Sequence, residues 1–166
     1  MAAFSAHSDF IYAAPHAFIL TPFSSLGLVT EGSSSVAFVR RMGITKAKEA
    51  LIMSKRIPAE ELVACGFVNA IFIEGSKGKH DGKDFDSQVF LERVFKEVEE
   101  RMTGGHLNDG SMLGIKKLLT KAHGGGVDEL DRSAVEEVMA GLDKFVGGVP
   151  QAEFEKIASG QKRHKL

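Results

Sequence analysis

The alternation of apolar and polar positions divides the chain into a strand-bearing first half and a helical second half. Residues 9–14 (DFIYAA) and 17–20 (AFIL) are short apolar runs separated by a turn at Pro15-His16; they read as adjacent strands, with buried helix as the alternative that a pattern of this length leaves open. Thr30 is an N-cap type, and the pattern predicts a helix over 31–41, with Val36 and Val39 on its buried face and Gly43 as its stop. Thr45 is placed to cap a second helix over 46–53. Pro58 opens a third, with Glu60 and Glu61 near its positive end and Gly66 after its last turn. Residues 67–73 (FVNAIFI) form the clearest strand pattern, rich in aromatic and β-branched residues.

Residues 74–87 (EGSKGKHDGKDFDS) are polar, carry three glycines and show no period, so they read as a loop. Beyond them the period is helical throughout. Residues 88–102 place Val94, Val98 and Met102 on one stripe. Further helices are predicted over 111–122, 127–146 and 151–159, separated by glycines and Pro150. Three regions follow: 1–87 with the strands and turns, 88–159 all helical, and a basic tail at 160–166. The fold class is α/β and helix-rich, with too few strands to close a sheet on their own.

Composition narrows the function classes. At 166 residues the chain is long enough for one domain with a sizeable core. A net charge of −1 argues against nucleic acid or an anionic membrane as partner. The single cysteine, Cys65, rules out an intrachain disulfide and a metal-thiolate cluster, and the six histidines show no paired ligand spacing, so no metal site is expected. The N-terminus, MAAFSAHSDF, has neither a basic lead nor a long apolar run and reads as neither a signal peptide nor a membrane span.

Chemistry concentrates in residues 21–35 (TPFSSLGLVTEGSSS), a strand-to-helix turn with one acid, Glu31. Two readings of Glu31 stand side by side. It is a first-turn glutamate stabilising its helix by roughly 0.3–1 kcal/mol, or it is a general base in an apolar pocket. Burial would favour its neutral form and the helix end its charged form. His123 and the glycines after it spell HGGG, but the chain has no G-x-S-x-G nucleophile turn, and the segment reads as a linker. The glycines and lysines of 75–83 lack the spacing of a phosphate loop. The chain ends on His164, Lys165 and Leu166, close to the S-K-L peroxisomal import signal, after a basic Gln161-Lys162-Arg163.

The strand pair, the TPFSSLGLVTEG turn, Arg41-Met42-Gly43, the helix over 46–53, RIPAEE at 56–61 and Gly66-Phe67-Val68 together resemble the crotonase (enoyl-CoA hydratase/isomerase) family. The turn is most similar to its peroxisomal Δ3,Δ2-enoyl-CoA isomerase branch. The resemblance covers residues 9 to about 73 and implies a partial ClpP/crotonase-like spiral core followed by a helical C-terminal region. Residue 1 then corresponds to a point after most of the spiral sheet, much of the CoA site and both oxyanion-hole loops. Ala3 and Phe23 stand where hydratases carry their two glutamates, which disfavours hydration. Glu31 matches the isomerase glutamate, and the resemblance makes it the base. Phe23, Leu26 and Leu28 become candidates for the acyl-pocket wall. The implied substrate is an acyl-CoA, with no separate cofactor. The implied partners are the peroxisomal import receptor and further copies of the chain, as a homotrimer or hexamer. Two rival readings accompany this one: an acyl-CoA hydratase/isomerase of secondary metabolism, and a non-catalytic remnant that binds longer relatives.

Overall fold

The computed structural model describes residues 2–76, 84–122 and 126–163, with backbone only at 126 and 127. The order is α1 (Ala2–Ser5), β1 (Tyr12–Ala13), β2 (Phe18–Ile19), a 3-10 turn (Ser24–Leu26), α2 (Ser34–Leu51), β3 (Ile57–Pro58), α3 (Ala59–Ala64), β4 (Ala70–Ile71), α4 (Ser87–Val98), a π-helical turn (Glu99–Thr103), α5 (Asp109–Ala122), α6 (Gly126–Val146) and α7 (Val149–Ala158). The mixed α/β, helix-rich class expected from the pattern is the class observed. No described helix is long and apolar enough to cross a membrane.

The strands pair differently from the expectation. β1 and β2 are not partners: β1 pairs in parallel with β4, Tyr12 opposite Ala70 and Ala13 opposite Ile71. β2 pairs antiparallel with β3, Phe18 opposite Pro58 and Ile19 opposite Ile57. A two-residue hairpin needs positive φ in its loop, and neither Pro15 nor His16 has it. The turn is closed by Ala17 N–H donating to the Ala14 carbonyl at 3.0 Å, and each run finds a distant partner instead. The strand expected over 67–73 shrinks to two residues. Its first N–H groups, those of Phe67 and Val68, donate to the Leu62 carbonyl at 2.9 and 3.1 Å and finish α3 rather than a ladder. Gly66, at φ +82, makes that helix end possible.

α2 also differs. The expected helix over 31–41 starts late, because Gly32 (φ +65) and Ser33 (φ +56) are both left-handed. Glu31 therefore lies before the helix, not in its first turn, and Thr30 does not cap it. The expected break at Gly43 is present: its backbone is non-helical (φ +74, ψ 160), so α2 consists of two helical stretches, 34–42 and 44–51, that meet at a kink.

The core is built in the first half. Phe38, Ala50, Ile57 and Ala59 are fully buried, packed with Met42, Leu62, Phe67 and Val68. Phe38 meets Phe67 edge-on at 5.3 Å between ring centres, and Tyr12 stacks on Phe72 at 4.9 Å. Arg41 ties α1 to the end of α3 by donating to the Ala6 carbonyl at 2.7 Å and the Phe67 carbonyl at 3.2 Å. Burial pushes its guanidinium pKa down.

The remaining helices follow their patterns closely. Asp86 ends the loop by capping α4, accepting from the Gln88 and Val89 N–H groups at 3.0 and 3.2 Å. Val94, Val98 and Met102 are half-buried on one stripe. Asn108 caps α5 by accepting from Ser111 N–H at 2.9 Å. The middle of the 74–87 loop, His123, Gly124 and Gly125 of the HGGG segment and the terminal His164, Lys165 and Leu166 lie outside the described residues.

Candidate active site

Residues 21–35 form a strap held at both ends, with Glu31 between. The front end is tied to the far end of α2. Thr21, buried, donates its hydroxyl to the Ala50 carbonyl at 2.8 Å. Ser24 donates to the Ile52 carbonyl at 2.5 Å and meets the Ser54 hydroxyl at 2.9 Å. These are orphan carbonyls of a helix C-terminus, satisfied here by side chains of another segment. Between them the backbone coils tightly: Leu26 N–H reaches the Pro22 carbonyl at 3.0 Å and Leu28 N–H the Phe23 carbonyl at 2.8 Å, closed by left-handed Gly27. Phe23, Leu26 and Leu28, the expected acyl-pocket residues, are half-buried on this coil. The coil lies on α7, where a Cβ on Gly27 would stand 2.7 Å from Val149 Cγ1. Lys162, beyond α7, donates to the Ser25 carbonyl and pairs with Glu153.

The rear end is tied to α6. Ser33 donates its N–H to Glu137 Oε2 at 2.8 Å and its hydroxyl to the Leu130 carbonyl at 2.7 Å. Ser35 donates its N–H to Glu137 Oε1 at 2.9 Å and its hydroxyl to the same oxygen at 2.5 Å, and its hydroxyl lies 2.9 Å from that of Ser133. Leu130, Ser133 and Glu137 are spaced i, i+3, i+7 and so share one face of α6. Arg40 pairs with Glu129 one turn further along α2. On the other side, His7 Nε2 is 2.8 Å from the Gly32 carbonyl and donates to it.

Glu31 itself is exposed, and its carbonyl accepts from Ser34 N–H at 3.2 Å. The apolar pocket expected around it is not closed by the described residues, and the helix dipole expected to act on it belongs to the segment that starts at Ser34. It is the one acid between Asp9 and Glu49. The arrangement can present a single carboxylate, on a backbone fixed on both sides, to a ligand approaching from outside the described chain. A groove lined by Met102, Leu107, Asn108 and Met112 lies between the π-helical turn and the start of α5, built from other elements and offering Asp109 as its acid. Among the described residues no group of three or more His, Cys, Asp or Glu could hold a metal ion.

The stretch 21–35 and its solitary Glu31 stand out in the sequence; the residues that hold it, Thr21, Ser24, Ser33, Ser35, His7 and Glu137, do not stand out as its anchors. Nothing in the sequence set Ser133 and Glu137 apart, because polar residues at helical spacing on an amphipathic helix ordinarily form its solvent face.

Comparison with known proteins adds the ancestry. Residues 2–77 match the enoyl-CoA hydratase/isomerase family model. The chain is 50% identical over 165 residues to a protein of Pyricularia oryzae named Delta(3,5)-Delta(2,4)-dienoyl-CoA isomerase, covering 99% of this chain and 56% of that protein. It is 30% identical to the 3,2-trans-enoyl-CoA isomerase of Saccharomyces cerevisiae, over 99% of this chain and 55% of that one. The crystal structure of an enoyl-CoA hydratase/isomerase from Pseudoalteromonas atlantica superimposes with a TM-score of 0.78 at 19% identity, over 99% of this chain and 59% of that one, a likeness of fold. The chain thus spans a little over half the length of these two relatives, and the family match over residues 2–77 with the similarity along nearly the whole of this chain place it in the enoyl-CoA hydratase/isomerase (crotonase) family as a partial relative of longer members.

Proposed function

We propose that the chain serves as the base-bearing part of an enoyl-CoA isomerase that moves a double bond by proton transfer through Glu31. The observation that carries this reading is the exposed Glu31 carboxylate, alone in its stretch of sequence and set on a strap pinned at Ala50, Ile52 and Glu137. The names of the two isomerases matched along the chain support the same class. The substrate proposed first is a 3-enoyl-CoA. Glu31 takes the C2 proton, and the C–H electrons pass into the thioester to give a dienolate. The proton is then returned to C4, leaving the double bond between C2 and C3. Overall one proton moves, nothing is oxidised, and no water is added. The negative thioester oxygen needs fixed N–H donors, each worth roughly 10²–10³ in rate.

A second substrate is favoured by the name of the 50% identical relative: a 3,5-dienoyl-CoA converted to the 2,4-dienoyl-CoA. That conversion moves a proton between C2 and C6, a longer path for one carboxylate than C2 to C4. Supplying both substrates to the native protein separates the two. Glu31→Gln keeps the shape of the side chain and removes the base, so turnover of the accepted substrate is expected to fall roughly 10²–10⁴-fold with circular dichroism unchanged. Undiminished turnover in that variant would overturn the assignment of Glu31. Phe23, Leu26 and Leu28 are proposed to border the acyl chain. The assembly is proposed to be a homotrimer or hexamer. Its address is proposed to be the peroxisome, read by the import receptor from His164, Lys165 and Leu166.

A further inference from the structure

Glu137 is a carboxylate buried to 7% exposure, far from Glu31 in sequence and unused by the proton transfer above. Its two oxygens accept three hydrogen bonds, from Ser33 N–H, Ser35 N–H and the Ser35 hydroxyl. An acid buried to this degree is stable when its lone pairs are taken up by donors, and all three donors lie within four residues of Glu31. The backbone between is unusual. Gly32 and Ser33 are left-handed in succession, and Ser33 has a Cβ that disfavours that conformation. α2 has no acidic residue of its own in its first turn and no local side-chain cap, so its free N–H groups are served from α6. A strained backbone persists where surrounding contacts over-determine it. Here those contacts are Glu137, the Leu130 carbonyl on Ser33, and His7 on the Gly32 carbonyl.

We propose that Glu137 is a positioning residue: it holds the Gly32–Ser33 turn in its left-handed form and thereby fixes where the Glu31 carboxylate stands. The inference rests on Glu31 being the base, and it adds a role for α6 in the same site. Glu137 touches no substrate in this scheme. Its effect passes through the backbone of three residues.

The test uses the native protein and five variants: Glu31→Gln, Glu137→Ala, Glu137→Gln, the double variant Glu31→Gln/Glu137→Ala and, as a control, Glu129→Gln, which removes the neighbouring α2–α6 ion pair without touching the turn. Glu137→Ala is expected to lower kcat at least tenfold with KM within about twofold, since a displaced base slows proton transfer without loosening remote binding. Glu137→Gln keeps one acceptor oxygen and should recover part of that loss, while Glu129→Gln leaves kcat unchanged. In a Glu31→Gln background, Glu137→Ala should cost nothing further, because a residue acting only through Glu31 has nothing left to position. Amide hydrogen exchange at Ser33 and Ser35 should speed up in Glu137→Ala while the amides of the α2 core stay protected. Unchanged kcat in Glu137→Ala, an equal further loss in the Glu31→Gln background, or unchanged exchange at Ser33 and Ser35 would each overturn the proposal. A native protein that turns over neither enoyl-CoA counts against the isomerase reading itself. In that event the exchange rates still decide whether Glu137 holds the turn.

Discussion

Glu153 shows how much one side chain can tie together. Lys156 Nζ lies 2.6 Å from its carboxylate, and Lys162 Nζ pairs with the other oxygen while donating to the Ser25 carbonyl. The hydrogen bonds from Lys156 and then Lys162 pull the Glu153 pKa from an ordinary 4.5 down to about 2. The folded value lies below the unfolded one, so this contribution to stability is complete above the ordinary carboxylate range. It is lost as pH falls from about 4.5 through about 2. The melting temperature of the unmutated protein should therefore drop more steeply over that window than that of Glu153→Gln; parallel curves would show that the two ammonium groups contribute nothing net. Residues of this kind were only half legible. Glu31 stood out in the sequence as a solitary acid among small and apolar neighbours. Glu137 did not, because its partners Ser33 and Ser35 are about a hundred positions away in the chain.

At the scale of elements, the coil over Pro22–Leu28 and α7 form one unit, and Gly27 is its contact point. At φ +69 any side chain is strained, and a Cβ would meet Val149 Cγ1 at 2.7 Å and Glu153 Cγ at 3.3 Å. Gly27→Ala should destabilise the fold by more than about 1 kcal/mol, and Val149→Ala in the same chain should recover part of it by opening space. Equal denaturation midpoints for Gly27→Ala and the unmutated protein would mean that α7 yields freely. Helices were read correctly in kind wherever the apolar period ran for several turns, as in α4, α5 and α6. Strands were read as too long and wrongly paired. A strand's length depends on where its N–H groups go, and those of Phe67 and Val68 go to Leu62. The start of α2 was misplaced for a related reason: Thr30 and Glu31 have the right chemistry for a local cap, but the cap that forms comes from α6.

For the molecule as a whole, apolar side chains are unevenly spent. The core draws on residues from Ala6 to Val68, whereas Leu118, Leu119, Val138, Met139 and Leu142 on α5 and α6 remain exposed. The proposed address belongs to this scale too, since an import receptor reads the end of the folded chain. A fluorescent fusion placed at the N-terminus should reach peroxisomes, and removal of Leu166 should leave it in the cytosol. Retention in peroxisomes after that deletion would mean that the terminal residues are not the signal.

The sequence by itself determined the class of the fold, the extent of the long helices, the solitary Glu31 and the family, because these rest on local periodicity and on a contiguous motif. Only the tertiary structure decided which strands pair, where α2 begins, and that Glu31 stands exposed before that helix rather than buried at its start. It alone brought Thr21 and Ser24 to the end of α2 and Glu137 to its beginning. Hydrogen bonds between segments 28 to 104 positions apart set those features, and no pattern within a single segment encodes the partner that a distant one will supply.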